Sequence, residues 1–239
     1  MKKENNNDLL HNGIIYKILS SLLYLIAYPI LFLITKLLLG LRIEGRENLE
    51  KVGDEYIVVA NHINTIDCAM IAISIFPRVP YFLTLQSNLE IPIIKYIVML
   101  LRGIPIPKNI NGKKKIINTV KKLLKGGEVI GIYPEGHLIP YYDGLRKFKN
   151  GAFNLSANNQ VPIVPILFTY REPDGIMKMI KKKSYITLKI LEPEYPKKEI
   201  SKCNIEKLKN DVYRKMKNEL TKNKIYNKEL DEEQIKQNC

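Results

Sequence analysis

Three histidines occur in the 239 residues, and one of them has a partner at a useful spacing. His62 follows the apolar run Tyr56–Ala60 in Ala60-Asn61-His62-Ile63-Asn64-Thr65-Ile66-Asp67. That run reads as a buried strand, which places His62 where strand becomes loop. Asp67 stands five residues on, at the start of a helical stretch. A loop of this length can fold back so that the carboxylate accepts from one imidazole nitrogen. The other nitrogen is then left as a general base near neutral pH. The pair is the base and orienter of a serine-hydrolase triad without its serine, so the nucleophile would be a hydroxyl of the substrate. Read alone, the same string also describes a locally satisfied histidine and a helix-capping aspartate. His11 lies in a polar, Asn-rich tail and is expected to be inert.

A second string adds weight. Val129-Ile130-Gly131-Ile132-Tyr133-Pro134-Glu135-Gly136-His137 is an apolar strand that ends in a Pro-Glu-Gly turn, which holds Glu135 at a strand end. Upstream lies Gly103-Ile104-Pro105-Ile106-Pro107-Lys108, an extended stretch closed by a cation. Downstream, Val161-Pro162-Ile163-Val164-Pro165-Ile166 is apolar and extended, and its prolines predict an edge strand or an interruption.

These four blocks, in this order, resemble the phospholipid/glycerol acyltransferase family over about residues 45–190. Asn61, His62 and Asp67 match the family's N-H-x-x-x-x-D. Tyr133-Pro134-Glu135-Gly136 matches its F-P-E-G, and Val161–Ile166 its V-P-I-V-P-V. Two positions depart: Lys108 stands where an arginine is usual, and His137-Leu138 replace Thr-Arg after Pro-Glu-Gly. A lysine can neutralise a phosphate but cannot form the arginine fork. Arg146, in the following Leu145-Arg146-Lys147-Phe148-Lys149, is the candidate to compensate.

The resemblance implies transfer of a fatty acyl group from a thioester, acyl-CoA or acyl carrier protein, to a lysophospholipid hydroxyl. Lysophosphatidic acid is the favoured acceptor, giving phosphatidic acid in phospholipid synthesis. Another lysolipid is the alternative, as is a relative that binds lipid without turnover. By the same resemblance His62 and Asp67 are catalytic. Asn61, Lys108, Glu135, Gly136 and Arg146 belong to substrate binding, with a structural ion pair as the other reading of Glu135. No cofactor is implied, and His62 has no histidine or cysteine at metal-ligand spacing. Gly112-Lys113 lacks the first glycine of a phosphate-binding loop, the residue there being Pro107.

The elements that must position these residues alternate. Strands are predicted over 56–60, 81–85, 103–107, 129–133, 161–169 and 185–191, and helices over 67–76, 93–101, 113–124, 145–157 and 205–223. Such alternation predicts an α/β domain with a mostly buried sheet flanked by helices. The expected parts are a polar tail at 1–12, a membrane-anchoring segment at 13–42, the acyltransferase domain at 43–200, and a basic, solvated helix and tail at 201–239.

The anchoring segment has no charge from Ile18 to Thr35. Eighteen helical residues span about 27 Å, close to the hydrocarbon thickness of a bilayer. A membrane helix or helical hairpin is therefore expected, kinked at Pro29. A signal peptide lacks its cleavage site here, and a buried core helix would show a polar face.

Composition agrees. Lys and Arg number 38 against 24 Asp and Glu, a net charge of +14. Residues 101–150 hold eleven of those cations and three acids. With an apolar anchor beside it, that charge favours an anionic phospholipid membrane over nucleic acid, since the lysine clusters lack interleaved aromatics. Acyl thioesters are cytoplasmic, so the catalytic domain is expected on the cytoplasmic face of the membrane. Three scattered cysteines argue against a disulfide framework and form no CxxC pair for a zinc site.

Overall fold

The computed structural model describes residues 14–85, 102–106, 110–171, 173 and 184–222. In chain order it contains helix α1 (Ile14–Leu39), strand β1 (Arg42–Glu44), a 3-10 turn (Arg46–Lys51), β2 (Ile57–Ala60), α2 (Asp67–Ser74), β3 (Tyr81–Leu85) and β4 (Gly103–Ile106). Then follow α3 (Ile110–Lys125), β5 (Ile130–Ile132), α4 (Gly151–Asn159), β6 (Ile163–Arg171), β7 (Tyr185–Ile190) and α5 (Lys202–Thr221). The helix expected at 93–101 and Lys108 lie outside the described residues.

Seven strands form one sheet in the order β1-β7-β6-β2-β5-β3-β4. Every neighbouring pair is parallel except β6 and β7. Parallel strands need both faces covered, and the two-residue alternation of β2 supplies both. Ile57 and Val59 enter a core with Leu124 of α3, Phe153 of α4 and Val212 of α5. Val58 and Ala60 enter the opposite core with Met70 and Ile71 of α2.

The crossovers decide where a site can form. The chain leaves β2 through α2 on one face and passes over β5 to reach β3. It leaves β5 through α4 on the other face and passes over β2 to reach β6. The carboxyl ends of β2 and β5 are neighbours from which the chain departs in opposite directions, the position where open α/β sheets form a crevice. His62 and Glu135 are the residues just beyond those two ends.

Four expectations are corrected. Residues 145–150 are not helical, and α4 starts only at Gly151, because Arg146 must reach back to Glu135 as described below. The proline-rich strand is neither an edge nor interrupted: β6 runs nine residues through the middle of the sheet. Pro165 is tolerated because its backbone faces the β7 side, where its carbonyl accepts from Leu191, one residue past the end of β7. Its missing N–H therefore breaks no bond to β2. Third, α5 is not simply solvated. Ile205, Leu208, Val212, Met216 and Leu220 recur at helical spacing and are buried in the main core.

The fourth concerns the N-terminal segment. A helix covers Ile14–Leu39 with Pro29 inside it, but among the described residues no helix is long and apolar enough to cross a membrane. What α1 shows is a narrow seam. Tyr24 and Thr35 are buried, Tyr28 and Leu31 are half-buried, and the Tyr28 ring lies 4.2 Å from Phe76 just beyond α2. Around that seam Leu25, Ile26, Leu33, Leu37 and Leu38 are each more than half exposed.

Candidate active site

Asn61 closes the strand that delivers His62. Its side-chain amide donates to the Phe168 carbonyl at 2.9 Å and its carbonyl accepts from the Phe168 N–H at 2.8 Å. The β2–β6 register pairs Ala60 with Ile166, so the Asn61 side chain continues the ladder where the β2 backbone turns away. Both bonds are buried, and an unpaired partner would be costly there. Asn61 is therefore a latch on the loop rather than a group facing substrate.

The loop folds back as its length allows. Asp67 Oδ2 accepts from the Ile63 N–H at 2.8 Å, the Asn64 N–H at 2.9 Å and His62 Nδ1 at 2.9 Å. A carboxylate can only accept, so the imidazole proton belongs on Nδ1 and the lone pair on Nε2. Asp67 is fully buried, whereas the His62 side chain keeps 21% of its exposure. Burial raises the Asp67 carboxyl above the usual range, and the His62 bond and the two backbone donors pull it back. The Tyr133 ring stacks on His62 at 4.0 Å between centroids and 12° between planes, which fixes the imidazole from the side. Burial foremost, together with the nearby Asp67 charge, holds the Tyr133 and Tyr170 hydroxyls protonated far above neutral pH.

The turn after β5 has a different character. Glu135 Oε2 accepts from Arg146 Nη2 at 2.8 Å and Nε at 3.2 Å, and Oε1 accepts from the Arg146 N–H at 3.2 Å. Oε2 also accepts from the His62 backbone N–H at 3.4 Å. Both residues are buried. Burial raises the Glu135 carboxyl, opposed chiefly by the Arg146 charge. Glu135 thus ties the turn after β5 to the loop after β2. Two backbone bonds run beside it, from the Ile139 N–H to the His62 carbonyl and from the Tyr141 N–H to the Ile63 carbonyl.

Arg146 is spent in this arrangement. Its Nη1 lies 2.7 Å from His137 Nε2, and its Nη2 also donates to the His137 carbonyl. An arginine can only donate, so His137 carries its own proton on Nδ1. Desolvation, then Arg146 and Lys149, hold the His137 pKa down. Gly136 has φ +88°, and a Cβ there would sit 2.5 Å from the Lys149 ammonium nitrogen. The left-handed φ is what calls for glycine; the Lys149 ammonium is the far end of a flexible side chain, which can swing aside. The Lys149 side chain lies across the turn, and the Lys149 backbone N–H donates to the Pro134 carbonyl at 2.9 Å.

Of the residues singled out from sequence, the structure brings together Asn61, His62, Asp67, Glu135, Gly136 and Arg146. Lys108 lies outside the described residues. Tyr133 and Lys149 were not assigned a role from sequence. The signal for Tyr133 was the aromatic before Pro-Glu-Gly, one residue from a strand end. Lys149 gave none beyond its charge. Among the described residues no group of three or more His, Cys, Asp or Glu could hold a metal ion.

The chain is similar to several known proteins. A family model described as Acyltransferase matches residues 40–169, more than half of the chain. The chain is 31% identical over 142 residues to a Saccharomyces cerevisiae protein named 1-acyl-sn-glycerol-3-phosphate acyltransferase, an alignment covering 56% of this chain and 45% of that one. A Bacillus subtilis protein of the same name is 25% identical over 143 residues, covering 60% and 68%. The chain thus spans under half the length of the yeast relative and about two thirds of the bacterial one. The fold is similar to that of the 1-acyl-sn-glycerophosphate (LPA) acyltransferase of Thermotoga maritima, with a TM-score of 0.56, 24% identity, and coverage of 76% of this chain and 71% of that chain. The matched span contains both halves of the site, the His62–Asp67 pair and the Pro-Glu-Gly turn, and the chain belongs to the acyltransferase family.

Proposed function

We propose that the protein transfers a fatty acyl group from a thioester, acyl-CoA or acyl carrier protein, to the hydroxyl of lysophosphatidic acid, forming phosphatidic acid for phospholipid synthesis. The observation that carries this reading is the His62–Asp67 pair. A buried carboxylate fixes Nδ1 at 2.9 Å, and the imidazole keeps an accessible side at the crevice. No serine or cysteine nucleophile is needed, because the acceptor brings its own hydroxyl. The names of the yeast and bacterial relatives point to the same acceptor.

In this mechanism His62 Nε2 takes the hydroxyl proton as the oxygen attacks the thioester carbonyl. Asp67 holds the tautomer and stabilises the imidazolium. The tetrahedral intermediate collapses, the thiolate leaves, and the imidazolium returns the proton to it. Base catalysis of this kind supplies on the order of 10²–10⁴-fold. Positioning supplies more. Arg146 is committed to Glu135, so the phosphate of the acceptor falls to Lys149, which lies across Gly136, and to Lys108. Glu135 acts on substrate indirectly, by holding the two loops together.

The exposed apolar surface of α1 supports membrane association, and the use of an acyl thioester, a cytoplasmic donor, favours the cytoplasmic face for the catalytic domain. A helix that is apolar nearly all round and covered by protein along one seam needs another apolar medium for the rest. The test is thiol release from acyl-CoA and from acyl carrier protein, over a panel of lysolipids. Fastest turnover with lysophosphatidic acid is expected. Turnover with another headgroup alone would reassign the acceptor, and no thiol release with any would overturn the reading.

A further inference from the structure

Two helices on the same face of the sheet, α3 and α5, are rich in lysine, and they treat that charge differently. On α5 acids are interleaved with the cations, and residues one turn apart pair: Lys209 with Glu206 at 2.5 Å, and Arg214 with Asp211. The α3 sequence contains no acid. Its Lys114, Lys121, Lys122 and Lys125 are exposed, and none of the four is in an ion pair among the described residues.

The spacing of these lysines makes a face. At 3.6 residues per turn Lys114, Lys121 and Lys125 fall within about 40° of one another around the helix axis, in a row about 16 Å long. Ile116, Val120, Leu123 and Leu124 lie on the other side and are buried in the main core. Beside the row stands Ile117, half exposed on a helix whose other described apolar side chains are buried. An aliphatic residue next to a line of cations has the layout of a small protein interface, an apolar centre with a charged rim.

The position of this face narrows the choice of anion. β2, β5, β3 and β4 are mutually parallel, so β4 ends at the sheet edge that carries His62, and α3 starts there with Lys114 in its second turn. α3 packs on the face of the sheet that holds α4 and α5, whereas Tyr28 of α1 packs against Phe76, just beyond α2, on the other face. A bilayer that covers α1 therefore does not face the row of lysines. α3 also carries no aromatic residue on which a nucleic-acid base could stack. A row of this length fits an extended acidic surface, such as the face of an acidic helix, better than a compact phosphate group, which would engage one end of it.

We infer that the exposed face of α3 docks an acidic carrier protein that brings the acyl thioester to the His62 edge, so that a protein-borne thioester is a donor of this enzyme. The inference rests on the acyl-transfer reading above and selects among its donors. Charge on such a face acts mainly on encounter and partner choice, and salt weakens it.

The experiment is steady-state thiol release to lysophosphatidic acid by the full chain, with palmitoyl-CoA and with an acyl carrier protein charged with palmitate, and with binding to phosphatidylglycerol vesicles followed beside it. Lys114→Glu/Lys121→Glu reverses two charges of the row, and Ile117→Ala removes its apolar neighbour. Lys197→Glu/Lys198→Glu makes the same charge change at an exposed site past β7. The wild type is expected to turn over both donors, and its KM for the carrier-borne one should rise with salt. The Lys114/Lys121 variant should raise that KM by about tenfold, and Ile117→Ala by about threefold. Both should leave kcat/KM for palmitoyl-CoA unchanged, and the Lys197/Lys198 variant should leave both donors unchanged. Equal losses on the two donors, an unaltered carrier KM in either α3 variant, the same loss in the Lys197/Lys198 variant, or turnover of palmitoyl-CoA alone by the wild type would overturn the inference and leave acyl transfer standing. A Lys114/Lys121 variant that lost vesicle binding and kept its carrier KM would assign the row to the membrane and overturn it equally. No thiol from either donor would overturn the acyl-transfer reading itself.

Discussion

The loops after β2 and β5 each bury a carboxylate at the same sheet edge, and they use it in opposite ways. Asp67 gathers two backbone N–H groups and one imidazole nitrogen on a single oxygen, and the imidazole remains accessible on its other side. Glu135 meets a buried arginine with both oxygens, and its Oε2 also accepts from the His62 N–H. Burial raises both acids, and in each case the largest opposing contribution comes from the partner. The difference lies in that partner. Histidine can exchange a proton near neutral pH, whereas arginine cannot. One loop can therefore do chemistry, and the other holds it in place.

The comparison can be broken in order of expected effect. Asp67→Asn should leave the fold intact and lower kcat by on the order of 10²–10⁴-fold, because the amide no longer enforces the Nδ1–H tautomer. Steady-state thiol release with a thermal melt beside it checks both halves. Arg146→Met should do the reverse and cost stability first. An uncompensated buried Glu135 predicts a loss of about 3–5 kcal/mol, read by denaturant unfolding. Glu135→Leu in the same chain should recover most of it, and a double variant no better than the single would mean that the pair is not the cause.

Two smaller effects sharpen the picture. Asn61→Ala strands the Phe168 N–H and carbonyl and should cost about 1–3 kcal/mol. Its melting loss should exceed that of Asn158→Ala, which removes one exposed bond within α4. Asp143 has one buried oxygen with no hydrogen-bond partner among the described residues, and burial raises its carboxyl to about 6. Its folded pKa lies above the unfolded one, so the folded state holds the extra proton between the two values, and stability falls as pH rises through that window. Asp143→Asn should therefore raise the Tm at pH 7 by roughly 2–4 °C, taking about 1 kcal/mol recovered, and leave it unchanged near pH 3. An equal change at both pH values would contradict the assignment.

Much of the first loop was legible in the sequence, since His62 and Asp67 are close in the chain and a strand end plus five residues limits where the carboxylate can go. The Glu135–Arg146 pair was less so. Ten residues of irregular chain lie between the two, and the apolar pattern from 145 onward reads as helix until the ion pair is seen to pull residues 145–150 out of it. Pro165 misled for a related reason: whether a missing N–H matters depends on where the neighbouring strand stops, which local pattern does not contain. The three residues of β1 are too few to show a period. The burial of α5 was readable from its apolar spacing, but its charge density outweighed that pattern.

The central claim is that His62, with its tautomer set by Asp67, takes the proton from the acceptor hydroxyl. Thiol release from an acyl thioester in the presence of lysophosphatidic acid, by wild type and His62→Ala at equal concentration, tests it most directly. The account predicts a fall in kcat of at least about 10²-fold with an unchanged melting temperature. A His62→Ala protein that released thiol as fast as wild type would contradict it.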